Sequence, residues 1–541
     1  MNGNEDINRE DGGTSGESSA LLTVHNPRAV DLTVKHSQSP LLSLANLIGV
    51  CGAPDLVYVN RRGEVVVLTL METLENNGTT PRFDANCVLR DSSDKTKLSP
   101  FPVYEAFLLS DLLQKEEDKE LLHLVPETRE VNPFSLSMED INGDCLAELV
   151  FTVRDVQNAA VEVFMVSPGK RQQLRLERLL TLEESCGEEE LCYYGTPTVA
   201  DVTGDGVPDI TFPVCSQEHQ TEDSDALFAE GCVAYEGVQV FRNQLEASKA
   251  CAKAGGAPGP YGFATERSTT TVLKAASCGF TDEVLLTTSL KEPLLLRPLD
   301  YNRDGVTDLA VPSTQGPLLL SGTGGVFDCT PVDSSKAVDD TTYQASIPFF
   351  LSLEVLGRFE LLLNSPTNNT VYTHHNIPQR HYFLLASALN GVYGEKQNQF
   401  ALTQTGAVHY WSWQDIHMKS HYNLQTQAAR TGVRALSPPR VFAGLGVTFS
   451  YVEHYTVGTA VAGERRYRRF PSYLIPNSQV FAVLHPIQQD SEWSLQLYVP
   501  TSQYKLLLLV VLLSTLTILG IPIACMRWSE LRSDMREWRL L

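Results

Sequence analysis

The sequence predicts an all-β body, a β-propeller followed by a β-sandwich, and one C-terminal transmembrane helix. Three observations carry this. One acidic nine-residue loop occurs three times, and each copy runs straight into an apolar strand. Short alternating strands separated by Gly, Pro and Asn turns fill most of the remaining chain. Leu506 to Met526 is an uncharged run of 21 residues. As a helix it is about 31 Å long, enough to cross the hydrocarbon core of a bilayer.

The loops read Asp140-Ile-Asn-Gly-Asp-Cys-Leu-Ala-Glu148, Asp201-Val-Thr-Gly-Asp-Gly-Val-Pro-Asp209 and Asp300-Tyr-Asn-Arg-Asp-Gly-Val-Thr-Asp308. Side-chain oxygens stand at positions 1, 3, 5 and 9, and position 7 offers a backbone carbonyl. The candidate ligands are therefore Asp140, Asn142, Asp144, Leu146 and Glu148 in the first loop, and Asp201, Thr203, Asp205, Val207 and Asp209 in the second. The third supplies Asp300, Asn302, Asp304, Val306 and Asp308. An all-oxygen set of this kind suits Ca²⁺, a hard cation that takes six to eight oxygen ligands. The nine carboxylates of the three loops would otherwise repel one another. The alternative reading is that Asp and Asn simply close Asx-turns at the strand ends. Cys145 stands at position 6, where Gly206 and Gly305 permit a sharp turn, so calcium is less secure in the first loop. Thr203 is a weaker ligand than Asp or Asn.

A strand, a turn and a second strand follow each loop: Leu149-Val-Phe with Val161-Glu-Val-Phe-Met, Ile210-Thr-Phe with Val238-Gln-Val-Phe, and Leu309-Ala-Val with Leu318-Leu-Leu. Such a unit cannot bury both faces alone, and stacking units radially gives a propeller. Two weaker copies extend the series. Pro54 to Leu68 keeps the strands with Asp55 at position 9, while Leu47, Gly49 and Cys51 replace other ligands. Ser352 to Glu360 keeps Gly357 and Glu360. Repeat starts then fall near residues 47, 140, 201, 300 and 352, and the two long gaps leave room for one degenerate blade each, seven in all.

From His381 the pattern changes. Tyr382-Phe-Leu-Leu-Ala, Ala407-Val-His-Tyr-Trp, Val447-Thr-Phe-Ser-Tyr-Val and Val480-Phe-Ala-Val-Leu read as strands of a sandwich. The expected organisation is an N-terminus at 1–40 that is disordered or misassigned, a propeller at 41–380, a sandwich at 381–500, the membrane helix at 505–526 and a tail at 527–541.

Arg527, Arg532, Arg536 and Arg539 follow the span, against Lys505 on its other side. The positive-inside rule then places the tail in the cytoplasm and the body outside or in a lumen, a type I membrane protein of the cell surface or secretory pathway. The sequons Asn77-Gly-Thr79 and Asn368-Asn-Thr370 lie on the outer side, so Asn77 and Asn368 are expected to carry glycan. Ten of the 11 cysteines precede the span, an even number suited to disulfides. Local spacing suggests Cys186 with Cys192 and Cys215 with Cys232. Residues 1–20 hold no apolar core of a secretory signal, which disagrees with that topology and points to a truncated or misassigned N-terminus.

The net charge of −23 argues against nucleic acid, whose phosphates need clustered Lys and Arg. No Gly-x-Ser-x-Gly elbow, His-Glu-x-x-His helix or phosphate-cradling loop is present, and the expectation is that the chain is not an enzyme. His374, His375, His381, His409, His417 and His421 match no compact zinc spacing and read as loop histidines. Tyr410-Trp-Ser-Trp413 suits core or edge packing of the sandwich better than ligand stacking.

The acidic loop with its strand resembles the FG-GAP repeat of integrin α-chain propellers. The wider arrangement resembles the T-cell immunomodulatory protein family, also called linkin. Asp201 to Pro213, the Phe442-Ala-Gly-Leu-Gly446 run leading to Val452 and His454, Tyr473-Leu-Ile-Pro-Asn-Ser-Gln479 and Trp493-Ser-Leu-Gln-Leu-Tyr498 carry the resemblance, which covers about residues 45 to 535. It implies an FG-GAP propeller and a C2-like sandwich on a type I membrane glycoprotein. Cell adhesion or immune modulation through a protein or glycan partner would be its role. A tethered propeller hydrolase or carbohydrate-processing enzyme and a secretory-pathway assembly factor are the alternatives.

Overall fold

A computed structural model describes residues 129–168, 174–184, 190–219, 232–251, 259–287, 293–332, 381–391, 403–427, 440–461, 464–498 and 502–537, apart from 449 and 472. It also describes residue 122 and the segments 22–23, 43–45, 55–59, 65–71, 103–113, 347–351, 360–364 and 371–375.

Five antiparallel sheets follow one another along the chain. The first holds β1 (Leu22–Thr23), β2 (Ser43–Ala45), β3 (Asp55–Val59), β4 (Val65–Met71) and β5 (Val103–Leu108), in the order β1-β5-β4-β3-β2, and a one-turn helix α1 (Leu109–Leu112) leaves it. The second holds β6 (Arg129–Val131), β7 (Ser137–Glu139), β8 (Glu148–Asp155), β9 (Ala160–Pro168) and β10 (Leu174–Glu183). Both β6 and β7 pair with β8. The third repeats that plan with β11 (Tyr193–Tyr194), β12 (Thr198–Ala200), β13 (Asp209–Cys215), β14 (Gly237–Phe241) and β15 (Thr269–Val272). The fourth is β16 (Arg297–Leu299), β17 (Asp308–Val311), β18 (Leu318–Thr323) and β19 (Val326–Pro331). The fifth is β20 (Ile347–Leu351), β21 (Glu360–Asn364) and β22 (Val371–His375).

The repeat register read from the sequence holds at all five positions. Each repeated loop joins one strand to the next within its sheet, and position 9 opens the second strand of the pair: Asp55 in β3, Glu148 in β8, Asp209 in β13, Asp308 in β17 and Glu360 in β21. Strands β8 and β13 are buried nearly throughout, as continuous apolar runs between packed sheets should be. The short leading strands pack in succession, β12 against β7 and β16, and β16 against β20.

The expected count of seven is corrected to five among the described residues. Each long gap contains strands that pair with each other within one sheet. Between repeat starts 47 and 140, β4 pairs directly with β5 across a 31-residue interval. Between 201 and 300, long connections separate β13 from β14 and β14 from β15, which still pair as neighbours. Spacing along the chain does not distinguish a long loop from a degenerate blade.

The sandwich follows, made of β23 (Tyr382–Leu389), β24 (Ala407–Gln414), β25 (Ser420–Gln427), β26 (Val441–Gly446), β27 (His454–Val461), β28 (Glu464–Phe470), β29 (Ser478–Val483) and β30 (Ser494–Tyr498). One sheet has the order β26-β23-β29-β30, the other β25-β24-β27-β28. Trp411, Trp413, Tyr455, Phe470 and Trp493 fill the space between them. The indole nitrogens of Trp413 and Trp493 donate to the carbonyls of Leu445 and Pro486 at 3.0 and 3.1 Å, so these two indoles are buried with their donors satisfied, whereas the Trp411 Nε1 finds no acceptor among the described residues. The Tyr410 to Trp413 run is thus packing, as expected. His409 is not a loop residue: it lies in β24, fully buried, 2.7 Å from the Tyr455 hydroxyl. The run Val447 to Val452, read as a strand, is mostly a loop between β26 and β27. Val452 alone pairs, as an isolated bridge to Leu474, while Val447 and Tyr451 point to solvent. Its alternation of exposed and buried residues imitated a strand.

Helix α2 (Ser502–Glu537) ends the described chain. Its segment Leu509–Ser533 is long and apolar enough to cross a membrane. Cys215 and Cys232 are bridged, as their spacing suggested, and so are Cys278 and Cys329. The pairing of Cys186 and the sequons at Asn77 and Asn368 lie outside the described residues.

Candidate functional site: three acidic loops beneath the sandwich

The three loops share one hydrogen-bonding scheme. At position 1, Asp140 accepts from the backbone N–H groups of Gly143 and Cys145 at 2.7 and 2.8 Å. Asp201 accepts in the same way from Gly204 and Gly206, at 2.8 and 2.9 Å, and Asp300 from Asp304 and Gly305, at 3.1 and 2.9 Å. At position 5, the carboxylates of Asp144, Asp205 and Asp304 accept from the N–H two residues on. At position 9 the carboxylate reaches back. Glu148 accepts from the Ile141 N–H and the Asn142 amide, Asp209 from the Thr203 N–H and hydroxyl, and Asp308 from the N–H groups of Tyr301 and Asn302. These are Asx-type turns nested inside one another.

Cys145 does not break the scheme. It adopts φ +67°, beside +92° for Gly206 and +94° for Gly305, and donates as they do. Left-handed backbone costs a non-glycine residue roughly 1–2 kcal/mol. A disulfide to Cys251, 106 residues away, ties Cys145 in place. Arg303, at φ +63°, adopts at position 4 the same left-handed backbone as Gly143 and Gly204, at +75° and +73°.

Burial makes the loops electrostatically expensive. Burial, then the neighbouring carboxylates, raises the pKa of Asp140, Glu148, Asp201 and Asp300 well above the carboxylate range. The same causes push Asp209 and Asp308 up to about 7. In the first loop, oxygens of Asp140, Asp144 and Glu148 lie within 4.8 Å of one another, and in the second those of Asp201, Asp205 and Asp209 do. Among the described residues, Asp300, Asp304 and Asp308 form no such group. Asp304 instead accepts from the Asn302 amide at 2.8 Å, and Asp300 accepts from outside its loop, from the Gly444 N–H, at 2.8 Å. A divalent cation fits the donor chemistry of the first two loops better than that of the third. The sequence ranked the first and third loops the other way round.

All three loops meet the sandwich, which no sequence pattern announced. The Asp140 N–H donates to the Thr426 hydroxyl at 3.1 Å, and the Thr426 N–H to the Glu139 carboxylate at 3.1 Å. Cys145 lies against Gly458, where an added Cβ would sit 2.4 Å from the Cys145 carbonyl. In the second loop Gly206 lies against the Tyr422 carbonyl, and Val207 joins Val408, Tyr410 and Leu424 in one apolar cluster. Against the third, the Gly446 N–H donates to the Arg303 carbonyl at 3.0 Å, and His381 Nδ1 lies 2.9 Å from the Asn302 carbonyl. The Arg303 guanidinium covers the Phe383 ring at 5.1 Å. Buried Asn243 links two loops to each other: its N–H donates to Asp209 and its amide to the Ile141 carbonyl. Of these partners the Phe442 to Gly446 run stood out in the sequence by resemblance, His381 as a histidine, and Phe383, Val408 and Tyr410 as strand residues of the sandwich; none was read as a contact of the loops. The other histidines scatter, with His421 3.1 Å from Asp415.

A family model described as "ITFG1, C2 domain" matches residues 399–498, most of the sandwich. The human T-cell immunomodulatory protein is 22% identical over 439 residues, 75% of this chain and 65% of its own length. The mouse protein of that name is 24% identical over 283 residues, covering 47% and 45%. A Plasmodium falciparum homolog of it is 28% identical over 164 residues, covering 29% and 23%. The chain therefore spans less than two thirds of the length of these relatives. Among solved structures, a Photorhabdus luminescens Tc holotoxin pore aligns with 89% of this chain and 19% of its own, at 12% identity and a TM-score of 0.23, too low to bear on the fold. The C2 match falls on the sheets that seat the acidic loops, and the relatives matched over the longer spans carry one name; the chain is similar to the T-cell immunomodulatory proteins, with an ITFG1-type C2 domain in its sandwich.

Proposed function

We propose that this is a non-enzymatic, single-pass type I membrane glycoprotein. In this reading the five sheets form an FG-GAP propeller whose acidic loops are stapled by Ca²⁺, and the body presents a surface for adhesion or immune modulation to a protein or glycan partner. One observation carries the structural part: the same hydrogen-bonded acidic turn recurs at the same corner of three consecutive sheets, with buried carboxylates whose pKa burial and their neighbouring carboxylates raise. The printed names of the relatives support the role, and the apolar helix supports the anchor.

Asp140, Asn142, Asp144 and Glu148 would hold one ion with the Leu146 carbonyl, and Asp201, Thr203, Asp205 and Asp209 another with the Val207 carbonyl. Ca²⁺ would supply positive charge among carboxylates that burial otherwise drives toward protonation. The protein's own part is to fix the turns through backbone N–H donors and to bury them beneath the sandwich. The test is thermal unfolding of the full chain in detergent, with calcium or with chelator. At 100 times the dissociation constant, one site stabilises by about 2.7 kcal/mol. An unchanged midpoint in both the native chain and a D201N/D205N variant would remove calcium from the proposal.

A further inference from the structure

The described part of the sandwich exposes its large hydrophobic side chains at one end only. The strand register defines that end. The start of β23 lies beside the end of β26 (Tyr382 opposite Gly446), and β29 begins beside the end of β30 (Gln479 opposite Tyr498). In the other sheet the β24–β25 turn, the start of β27 and the end of β28 lie together, with Gln414 opposite Ser420 and Tyr455 opposite Phe470. The loops 447–453 and 471–477 connect the two sheets there, tied by the Val452–Leu474 bridge.

Three loops at this end carry Ile416 and Met418, Val447 and Tyr451, and Tyr473 and Ile475, from 41 to 75% exposed. The Tyr451 and Tyr473 rings meet edge to face at 6.3 Å. The remaining exposed hydrophobics of the sandwich, Tyr382, Leu497 and Tyr498, lie at strand ends on the same side. Among the described residues at the opposite end, the turn 484–493 exposes none of the large hydrophobics.

The chain leaves the sandwich at this same end. Strand β30 stops at Tyr498 and α2 starts at Ser502. Four Cα steps reach at most roughly 15 Å. The apolar run begins at Leu506, about 6 Å further along the helix. A bilayer spanned by α2 therefore has its interfacial layer, about 5–8 Å deep, within a short tether of the loop tips. Tyrosine is favoured in that layer because its ring is apolar and its hydroxyl polar.

We propose that these three loops insert into the interfacial layer of the membrane that α2 spans, so that the sandwich stands on the bilayer tips first instead of swinging on its tether. The proposal rests on the anchor reading above. Docking by the tips would also fix how far the acidic-loop body stands from the membrane, because that body is locked to the sandwich.

Three full-length proteins test it in phosphatidylcholine vesicles. One carries an environment-sensitive fluorophore on Y473C in a C525S background, one carries it on Q488C in the same background, and one on native Cys525. Tyr473 is 75% exposed, so the replacement removes little beyond its edge-to-face contact with Tyr451. Nitroxide placed near the lipid headgroups should quench the label at 473 at least twofold more than the label at 488. Equal quenching at 473 and 488, with the Cys525 label reached by nitroxide deep in the acyl chains, leaves the anchor standing and overturns the docking. A Cys525 label that no lipid nitroxide reaches overturns both. A label at 473 shielded from aqueous iodide yet unquenched by lipid means that a protein surface covers the tips, which also overturns the proposal.

Discussion

Calcium should protect this protein more at neutral pH than in acid, by an amount the loops set. Take the full chain in detergent with chelator and lower the pH from about 7 to about 5. Burial and neighbouring carboxylates push Asp209 and Asp308 up to about 7, from 3.8. An acid raised in the folded state contributes stability that is fully present below its unfolded pKa and is lost as pH rises through the folded one. On this change each therefore returns about 2 kcal/mol, about 4–5 together. His409 opposes them: burial lowers it to about 4 from 6.5. A base lowered in the folded state loses stability as pH falls below its unfolded pKa, here about 2 kcal/mol. The carboxylates win: Asp209 and Asp308 alone leave a net gain of about 2–3 kcal/mol on acidification in chelator, and Asp140, Glu148, Asp201 and Asp300, raised by the same causes, add to it. With saturating calcium the second loop stays ionised, so at least the share of Asp209, about 2 kcal/mol, disappears from that gain. Urea unfolding followed by tryptophan emission at both pH values, with and without calcium, measures the difference. Identical pH dependence in calcium and in chelator would refute the reasoning, and a D209N variant should show that loss of difference by design.

Gly444→Ala places a Cβ 2.3 Å from both Asp300 Oδ2 and the Arg303 backbone. It should cost about 1–3 kcal/mol and speed hydrogen exchange at the loop–sandwich contact; exchange like that of the native chain would show the contact to be slack. C145S/C251S removes a bridge across 106 residues and should lower stability by about 2–5 kcal/mol in a non-reducing melt, with the first loop losing its calcium response ahead of the second. Made in a secretory host, the chain should lose mass with peptide N-glycosidase unless Asn77 and Asn368 are both replaced by Gln. No mass change for the native chain would contradict the outward placement of the body.

Much of the body was readable because its determinants are local. The turn that opens β8, β13 and β17 uses Asp, Asn and Gly within nine residues, and the strand after it announces itself by an unbroken apolar run. Even the weak copies at Asp55 and Glu360 kept their register, since each still opens a strand. The expected count of seven exceeds the five sheets among the described residues because gap length carries no information about pairing: β4 meets β5 across a long connection. The alternation of Val447 to Val452 misled because exposed apolar tips have the same period as a half-buried strand.

By itself the sequence determined the repeat, its oxygen-rich chemistry, the sandwich and the apolar helix, because hydrogen bonds to near neighbours and hydrophobic period act over a few residues. Only the tertiary structure decided which carboxylates converge, that Cys145 holds its turn through Cys251, and that the loops are covered by the sandwich. The physical reason is reach. Asp140 meets Thr426 across 286 residues and Asp300 meets Gly444 across 144, and no local pattern encodes such contacts. They arise when two bodies with complementary surfaces pack and each buried donor must find an acceptor.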